Sequence, residues 1–320
     1  MINKAIAEGP VSVIIRCFNE EKHIGNLLQA LQEQTLRSLD VIVVDSGSTD
    51  GTLSIVNNFS ARIITIKPED FSFGYSLNEG CKVARGEFFV IASAHVIPVD
   101  ETWLEELIKP LRDPAVAVAY GRQLGNYLTK FSEHQVFSQQ FPKESNFKQT
   151  SPFCNNANAA IRRSVWERHH YDESLTGLED VEMGKWVLNN GFVLAYNVTA
   201  SVIHIHEETP KKIFNRYKRE AIALKRIFPD SHMKLNEFLS LLARSIFSDQ
   251  MRALKSGKIF RCFFEIFVFR SMQYWGTYTG INSRSELTHE MMIRFYYPRN
   301  LEKLEKIKAK LTNKRANNNV

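Results

Sequence analysis

VSVIIRCFNEEKHIGNLLQALQEQT (residues 11–35) and, a few residues on, DVIVVDSGSTDGT (40–52) decide how this chain is read. The first opens on the apolar, β-branched run Val11 to Ile15, which has the makeup of a buried strand. Ile24, Leu27, Leu28 and Leu31 then recur at helical spacing. The second stretch carries another apolar strand to Asp45, a small polar turn and a helix after Thr52. Outward from there the alternation continues with ARIITIK (61–67), a helix over Tyr75–Ala84, EFFVIAS (87–93), a helix over Asp100–Leu111 and AVAVAYG (115–121). Strand and helix in regular turn imply an α/β fold with a mostly parallel sheet covered on both faces. Residues 122–150 read as a polar loop or excursion. The pattern resumes with ANAAIRR (157–163), a helix over Glu179–Asn190 and two strands, FVLAYN (192–197) and SVIHIH (201–206), and helices dominate from Lys211 onward.

Composition narrows the class. With 320 residues, 44% hydrophobic and 24% charged, the chain can bury a full core and is not a disordered one. Cys17, Cys81, Cys154 and Cys262 stand far apart with no CxxC pair, which speaks against a disulfide framework or a cysteine–zinc site and suits a reducing compartment. The first residues lack the apolar core of a secretory signal. No window reaches the ~18 consecutive apolar residues of a membrane span. The net charge of +6 suits nucleic acid, an anionic membrane surface or a phosphorylated ligand equally well, but no nucleic-acid motif accompanies it. Neither a dinucleotide-binding glycine fingerprint nor a Walker A loop is present, and HEETP (206–210) is not a zinc-protease sequence.

In open α/β sheets ligands bind beyond the carboxyl ends of the strands, which marks Asn19, Asp45 and the turn Ser93–His95. An acid at Asp45 suits a hydrogen bond from a ribose or base; it equally suits a solvated, capped turn. His204 and His206 share one face of a strand, either as metal ligands or as edge histidines. Glu179 and Asp180 open a helix, where acids are favoured for dipole reasons alone and where a carboxylate is also well placed as a base. Trp103 and Trp166 read as packing residues.

Several segments, taken in order, carry a resemblance. The two opening stretches, Leu77-Asn78-Glu79-Gly80, ARGEFFVIAS (84–93), CNNANAAIRRSVWE (154–167) and LEDVEMGKWVLNNG (178–191) together resemble the inverting GT-A glycosyltransferases of family 2 over about residues 10–230. The resemblance implies a Rossmann-like GT-A fold. It also implies a nucleotide-sugar donor, a saccharide or lipid-linked saccharide acceptor, and non-processive transfer of a hexosyl or deoxyhexosyl group to a hydroxyl. By position, Asn19 and Glu20 would lie by the nucleotide and Asp45 on its base or ribose. Asp50 would support the loop, and Asp180 would be the base with Glu179 beside it. Asn155, Asn156, Asn158 and Trp186 would face sugar or acceptor, and Arg219 the diphosphate.

The chain departs from the family where Asp-x-Asp is usual: Ser93-Ala94-His95 stands there. Losing both carboxylates removes the hard oxygen ligands of Mg2+ or Mn2+. His95 and His204 are then the candidate metal ligands, with Ser93 and His95 alternatively holding a phosphate. RYKRE (216–220) in place of Gln-x-x-Arg-Trp speaks against a membrane-embedded polysaccharide synthase, while the altered Asp-x-Asp and the His-x-His before a basic helix look similar to rhamnosyltransferase-like members of bacterial surface-polysaccharide assembly. The altered triplet also motivates an alternative, a catalytically inactive nucleotide-sugar-binding protein.

The expected organisation is a catalytic domain over 1–230 (donor half about 10–120, acceptor half about 150–210), a helical region over 231–300 and a basic, partly disordered tail over 301–320. FLSLLARSIF and IFRCFFEIFVFR in the helical region suit packing on the domain, a second copy in a homo-oligomer, or peripheral contact with the inner face of the cytoplasmic membrane. The expected location is cytoplasmic.

Overall fold

A computed structural model describes residues 11–283 and Tyr296. The basic tail read over 301–320 and most of 284–300 lie outside the described residues.

The first half alternates as its sequence implies. β1 (Val11–Cys17), α1 (Ile24–Glu33), β2 (Leu39–Asp45), α2 (Thr52–Val56) and β3 (Arg62–Thr65) are followed by α3 (Phe73–Val83), β4 (Phe88–Ser93), β5 (Val96–Pro98) and α4 (Trp103–Ile108). Then come β6 (Val116–Leu124), α5 (Phe131–Gln140), β7 (Asn146–Gln149), β8 (Asn158–Arg162), α6 (Arg163–Trp166), α7 (Glu179–Asn189) and β9 (Val193–His204). The long helices α8 (Pro210–Ile227), α9 (Leu235–Lys255) and α10 (Ile259–Ile281) finish the described chain.

The strands form one sheet in the order β3-β2-β1-β4-β8-β6-β9-β5, with β7 beside β9. β1, β2, β3, β4, β6 and β9 run in one direction and β5, β7 and β8 in the other, so the sheet is mostly parallel. Period-two alternation builds a core on each face. Val13 and Ile15 of β1 and Val90 of β4 pack with Leu27 and Leu31 of α1 and with Trp103 of α4. Ile14 and Ile91, pointing the other way, pack with Leu77 of α3 and Val187 of α7.

Three expectations are corrected. The polar excursion at 122–150 holds the end of β6, helix α5 and strand β7. Its periodicity is weak because α5 buries Ser132 and Glu133 beside Val136 and Phe137. The two strands expected at 192–197 and 201–206 are one strand, β9, which stops at His204. Asn197, which looks like a break, is accommodated because its amide donates to the Glu106 carbonyl and carboxylate, while a register shift against β6 absorbs the irregularity. Finally, β8 is antiparallel to both of its neighbours, an orientation that no local pattern specifies.

The C-terminal helices pack closely. A Cβ on Gly276 or Gly280 of α10 would overlap the backbone of α8 at Phe214 and Lys218, so glycine is what permits this contact. α9 and α10 are joined by a buried ion pair, Arg270 to Asp249 at 2.8 Å. Removing either partner leaves the other charge buried and alone. Asp249→Ala or Arg270→Ala should therefore cost about 3–5 kcal/mol in urea unfolding, and Asp249→Leu/Arg270→Met should recover most of that loss.

Candidate active site

The carboxyl ends of β1, β4 and β6, the segment 151–157, the start of α7 and one side of α8 surround a cleft of about 1350 Å3. Its floor at the end of β1 is a set of loop ties. Asn19 takes φ 54°, a left-handed conformation that asparagine tolerates, and from there its Oδ1 accepts the Thr49 N–H at 2.8 Å. The Asn19 and Glu20 N–H groups donate to Ser48 Oγ and Thr52 Oγ1, each at 2.8 Å. Asp50 accepts from the Thr52 N–H and hydroxyl and from the Glu21 N–H, so its carboxylate braces this loop.

Three imidazoles meet on one wall. The His95 ring stacks on His204 with centroids 5.0 Å apart, and His206 lies 4.1 Å from His204. Each Nδ1 is engaged by a side-chain oxygen: His95 by Glu20 at 2.8 Å, His204 by Gln123 at 2.7 Å and His206 by Glu133 at 2.8 Å. That leaves the Nε2 atoms as the ligating nitrogens, the arrangement in which an outer oxygen fixes the tautomer of a metal-bound histidine. The Nε2 of His204 is buried with no hydrogen-bond partner. Burial first, then the neighbouring His206 and His95, hold its pKa well below the ordinary value, so the ring stays neutral as a ligand must. One candidate ligand atom from each of the three lies within 4.8 Å of the others. Three imidazole nitrogens suit a borderline cation such as Zn2+ better than the harder Mn2+ or Mg2+.

Glu133, His206 and Glu208 form a second such group. There Arg216 already bonds Glu133 at 2.8 Å and Glu208 at 2.6 Å, which places a fixed positive charge where a cation would sit. Burial alone would raise the Glu133 carboxyl, but His206 and Arg216 overcome it and hold it at about 2. Its part is to orient His206.

Facing the histidines, Leu178 takes φ 57° and turns the chain into α7, so that Glu179 and Asp180 enter the cleft at a helix N-terminus. Asp180 Oδ2 accepts the Asn156 N–H at 3.0 Å and Oδ1 the Val181 N–H at 2.8 Å. Glu179 Oε1 accepts from Arg16 Nη1 at 3.2 Å and from the Asn156 amide at 3.3 Å. Burial pushes the Asp180 carboxyl up and Glu179 adds to it; the two backbone N–H groups and Arg16 pull it down, leaving it at about 7. A carboxyl poised there can take a proton near neutral pH. Arg16 and Arg219 stack on Phe73 with guanidinium carbons 4.5 and 4.6 Å from the ring centre, and all three line the cleft.

Asn19, Glu20, Ser93, His95, Asn155, Glu179, Asp180, His204 and Arg219 therefore come together. Four expected contacts do not reach the cleft. Asp45 is fully buried and accepts the N–H groups of Gly47 and Ser48, so it shapes the turn. Asn156 is buried and holds the acidic pair. Asn158 is buried among Trp103 Nε1 and the carbonyls of Arg122 and Ala200. Trp186 stacks between His169 and Phe192 on another side of α7. Sequence reasoning missed Arg16, which looks like one more strand residue, and Gln123, Glu133 and Arg216. A lone arginine in an apolar strand run was the only signal for the first.

The fold and the site together define a GT-A protein with a two-carboxylate cleft. The profile described as Glycosyl transferase family 2 matches residues 12–169. The chain is 31% identical to the O-antigen chain rhamnosyltransferase WbaN of Salmonella anatum, over 59% of this chain and 63% of that protein, so it matches somewhat less than two thirds of that relative's length. It is 28% identical to the O-antigen chain rhamnosyltransferase RfbN of Salmonella typhimurium, over 65% and 70%. In fold it is similar to a mannosyltransferase from Pyrobaculum calidifontis solved with GDP-Man and Mn2+, with TM-score 0.62 and 17% identity over 87% and 89% of the chains. Over residues 12–169 the chain thus matches glycosyl transferase family 2, and the two relatives it resembles in sequence are glycosyltransferases.

Asn158→Ala would leave the Trp103 N–H and the Ala200 carbonyl buried without partners. It should lower stability by about 1–3 kcal/mol per stranded group in thermal or urea unfolding, and a variant as stable as the parent would mark Asn158 as free for ligand contact.

Proposed function

We propose that the protein moves a sugar, with inversion, from a nucleotide-sugar donor to a hydroxyl of a saccharide or lipid-linked saccharide, in assembly of O-antigen or a related surface polysaccharide. The observation that carries this reading is Asp180, raised to about 7 in a cleft beside Glu179 and opposite the three histidines. The two relatives named as rhamnosyltransferases make a nucleotide-activated rhamnose the first donor to test. The four cysteines, all free and buried, fit work in the cytoplasm at the inner membrane face.

In the reaction the acceptor oxygen bonds the anomeric carbon while its proton passes to Asp180. The bond from that carbon to the diphosphate oxygen breaks, and the nucleoside diphosphate leaves with the electron pair. Glu179, held by Arg16 and Asn156, keeps negative charge near Asp180 and so keeps it basic enough for the task. Arg219 faces the developing charge of the leaving group. His95, His204 and His206 would hold a divalent cation, which when bound supplies further positive charge at the diphosphate.

Calorimetric titration with Zn2+ should show one site, abolished in His204→Ala and weakened about 10–100-fold in Glu133→Gln. Undiminished binding in His204→Ala would remove the histidine trio from the reading.

Product formation from a panel of nucleotide sugars tests the base. Asp180→Asn should lower kcat by about 10²–10⁴-fold. Because the base acts as its anion, kcat/KM should fall as pH drops below about 7. Glu179→Gln removes a cause that raises Asp180 and should move this acid limb to lower pH. Arg16→Met removes one that lowers it and should move the limb up. Limbs that stay in place in both variants would assign the proton transfer elsewhere.

A further inference from the structure

We propose that the α9–α10 hairpin is a docking surface for an anionic lipid bilayer. The two helices reverse through Ser256–Lys258, with Gly257 at φ 69°. One face of α10 (Cys262, Ile266, Phe269, Gly276 and Gly280) is buried. On the opposite face Phe260, Phe263, Phe264, Phe267 and Trp275 recur at helical spacing, and all are exposed, Phe260 at 99% and Phe264 at 79%. α9 adds Phe247, Met251 and Leu254 on its own outer side. An aromatic stripe of this length on a solvated helix marks an interaction surface.

Charge identifies the occupant. Lys255, Lys258 and Arg261 stand exposed at the tip of the hairpin, and Arg244 is exposed about three turns up α9. Beyond Glu237, the acids of these two helices turn inward: Asp249 is buried on Arg270, and Glu265 accepts the Phe131 N–H at 2.6 Å. The outer side of the hairpin tip is therefore apolar and positive. Aromatic side chains seat at the boundary between headgroups and acyl chains while Lys and Arg meet anionic headgroups. A second copy would set this positive rim against itself if the same patch paired on both subunits. The hairpin is also continuous with the cleft, since α10 packs on α8, whose other side carries Arg216 and Arg219 into the cleft lining. Docking would hold that opening beside the membrane, where a lipid-linked acceptor lies. The inference rests on this surface and stands apart from the proposed reaction.

The test is sedimentation of the full chain with vesicles of phosphatidylcholine alone or mixed with phosphatidylglycerol, alongside sedimentation velocity without lipid. The chain should bind the mixed vesicles, ignore the neutral ones and release as salt rises. Each basic residue near the surface contributes about fivefold, so Lys258→Glu/Arg261→Glu should lower partitioning by roughly 25-fold or more. Phe260→Ser/Phe264→Ser should also lose binding. Both variants lie away from the cleft and should keep the parent's melting temperature and donor hydrolysis, which separates a docking defect from a failed reaction. Equal partitioning onto neutral and anionic vesicles, or none onto either, would overturn the proposal. So would a dimer in lipid-free solution that Phe260→Ser/Phe264→Ser disperses, because a second copy would then be the occupant.

Discussion

The site depends on one strand that runs against the grain of its sheet. β8 pairs antiparallel with β4 on one side, from Phe88 opposite Arg162 to Ala92 opposite Asn158, and with β6 on the other. Through it the β1–β4 side and the β6–β9 side of the sheet share one continuous ladder. The chain entering β8 must then arrive at the carboxyl ends of β4 and β6, so the segment 155–157 is delivered to the cleft. There Ala157 accepts the Ser93 N–H, and Asn156 gives its own N–H to Asp180. Asn158, the first residue of the strand, seals the junction from inside.

Electrostatics at the cleft follow from what each polar group is tied to. Asp180 at the start of α7 is raised by burial and by Glu179; His204 is kept neutral by burial, and all three histidines are pinned by oxygens from three different elements. Arg16 and Arg219 are aligned by a shared aromatic ring between them. Charged groups of both signs are thus held within one cleft, several of them in direct pairs such as Arg16 with Glu179 and Arg216 with Glu133 and Glu208.

Much of this was legible in the sequence. The apolar periods of β1, α1, β2 and β4 are strong because both faces of those strands are buried, and of the three places the strand-end rule marked, the turns at Asn19 and Ser93–His95 line the cleft while Asp45 does not. Legibility failed where polar residues serve the interior. Asn158 and Asn156 look like sugar contacts, yet they bond buried groups. α5 looks like loop because its inward side meets His206 and Arg216 rather than oil. Strand direction could not be read at β8, since the same five residues suit either orientation. His206 was visible as a neighbour of His204 but not as part of a trio, which only the approach of the β4–β5 turn creates.

The glycine contact between α8 and α10 has a mechanical consequence. At Phe214 and Lys218 backbone lies against backbone, and beside these points Ile213 and Tyr217 of α8 pack on Phe269 of α10, so the helices cannot slide past one another without collision. The two move as a plate. The basic wall of the cleft is therefore braced from behind by α10 where Gly276 and Gly280 meet α8.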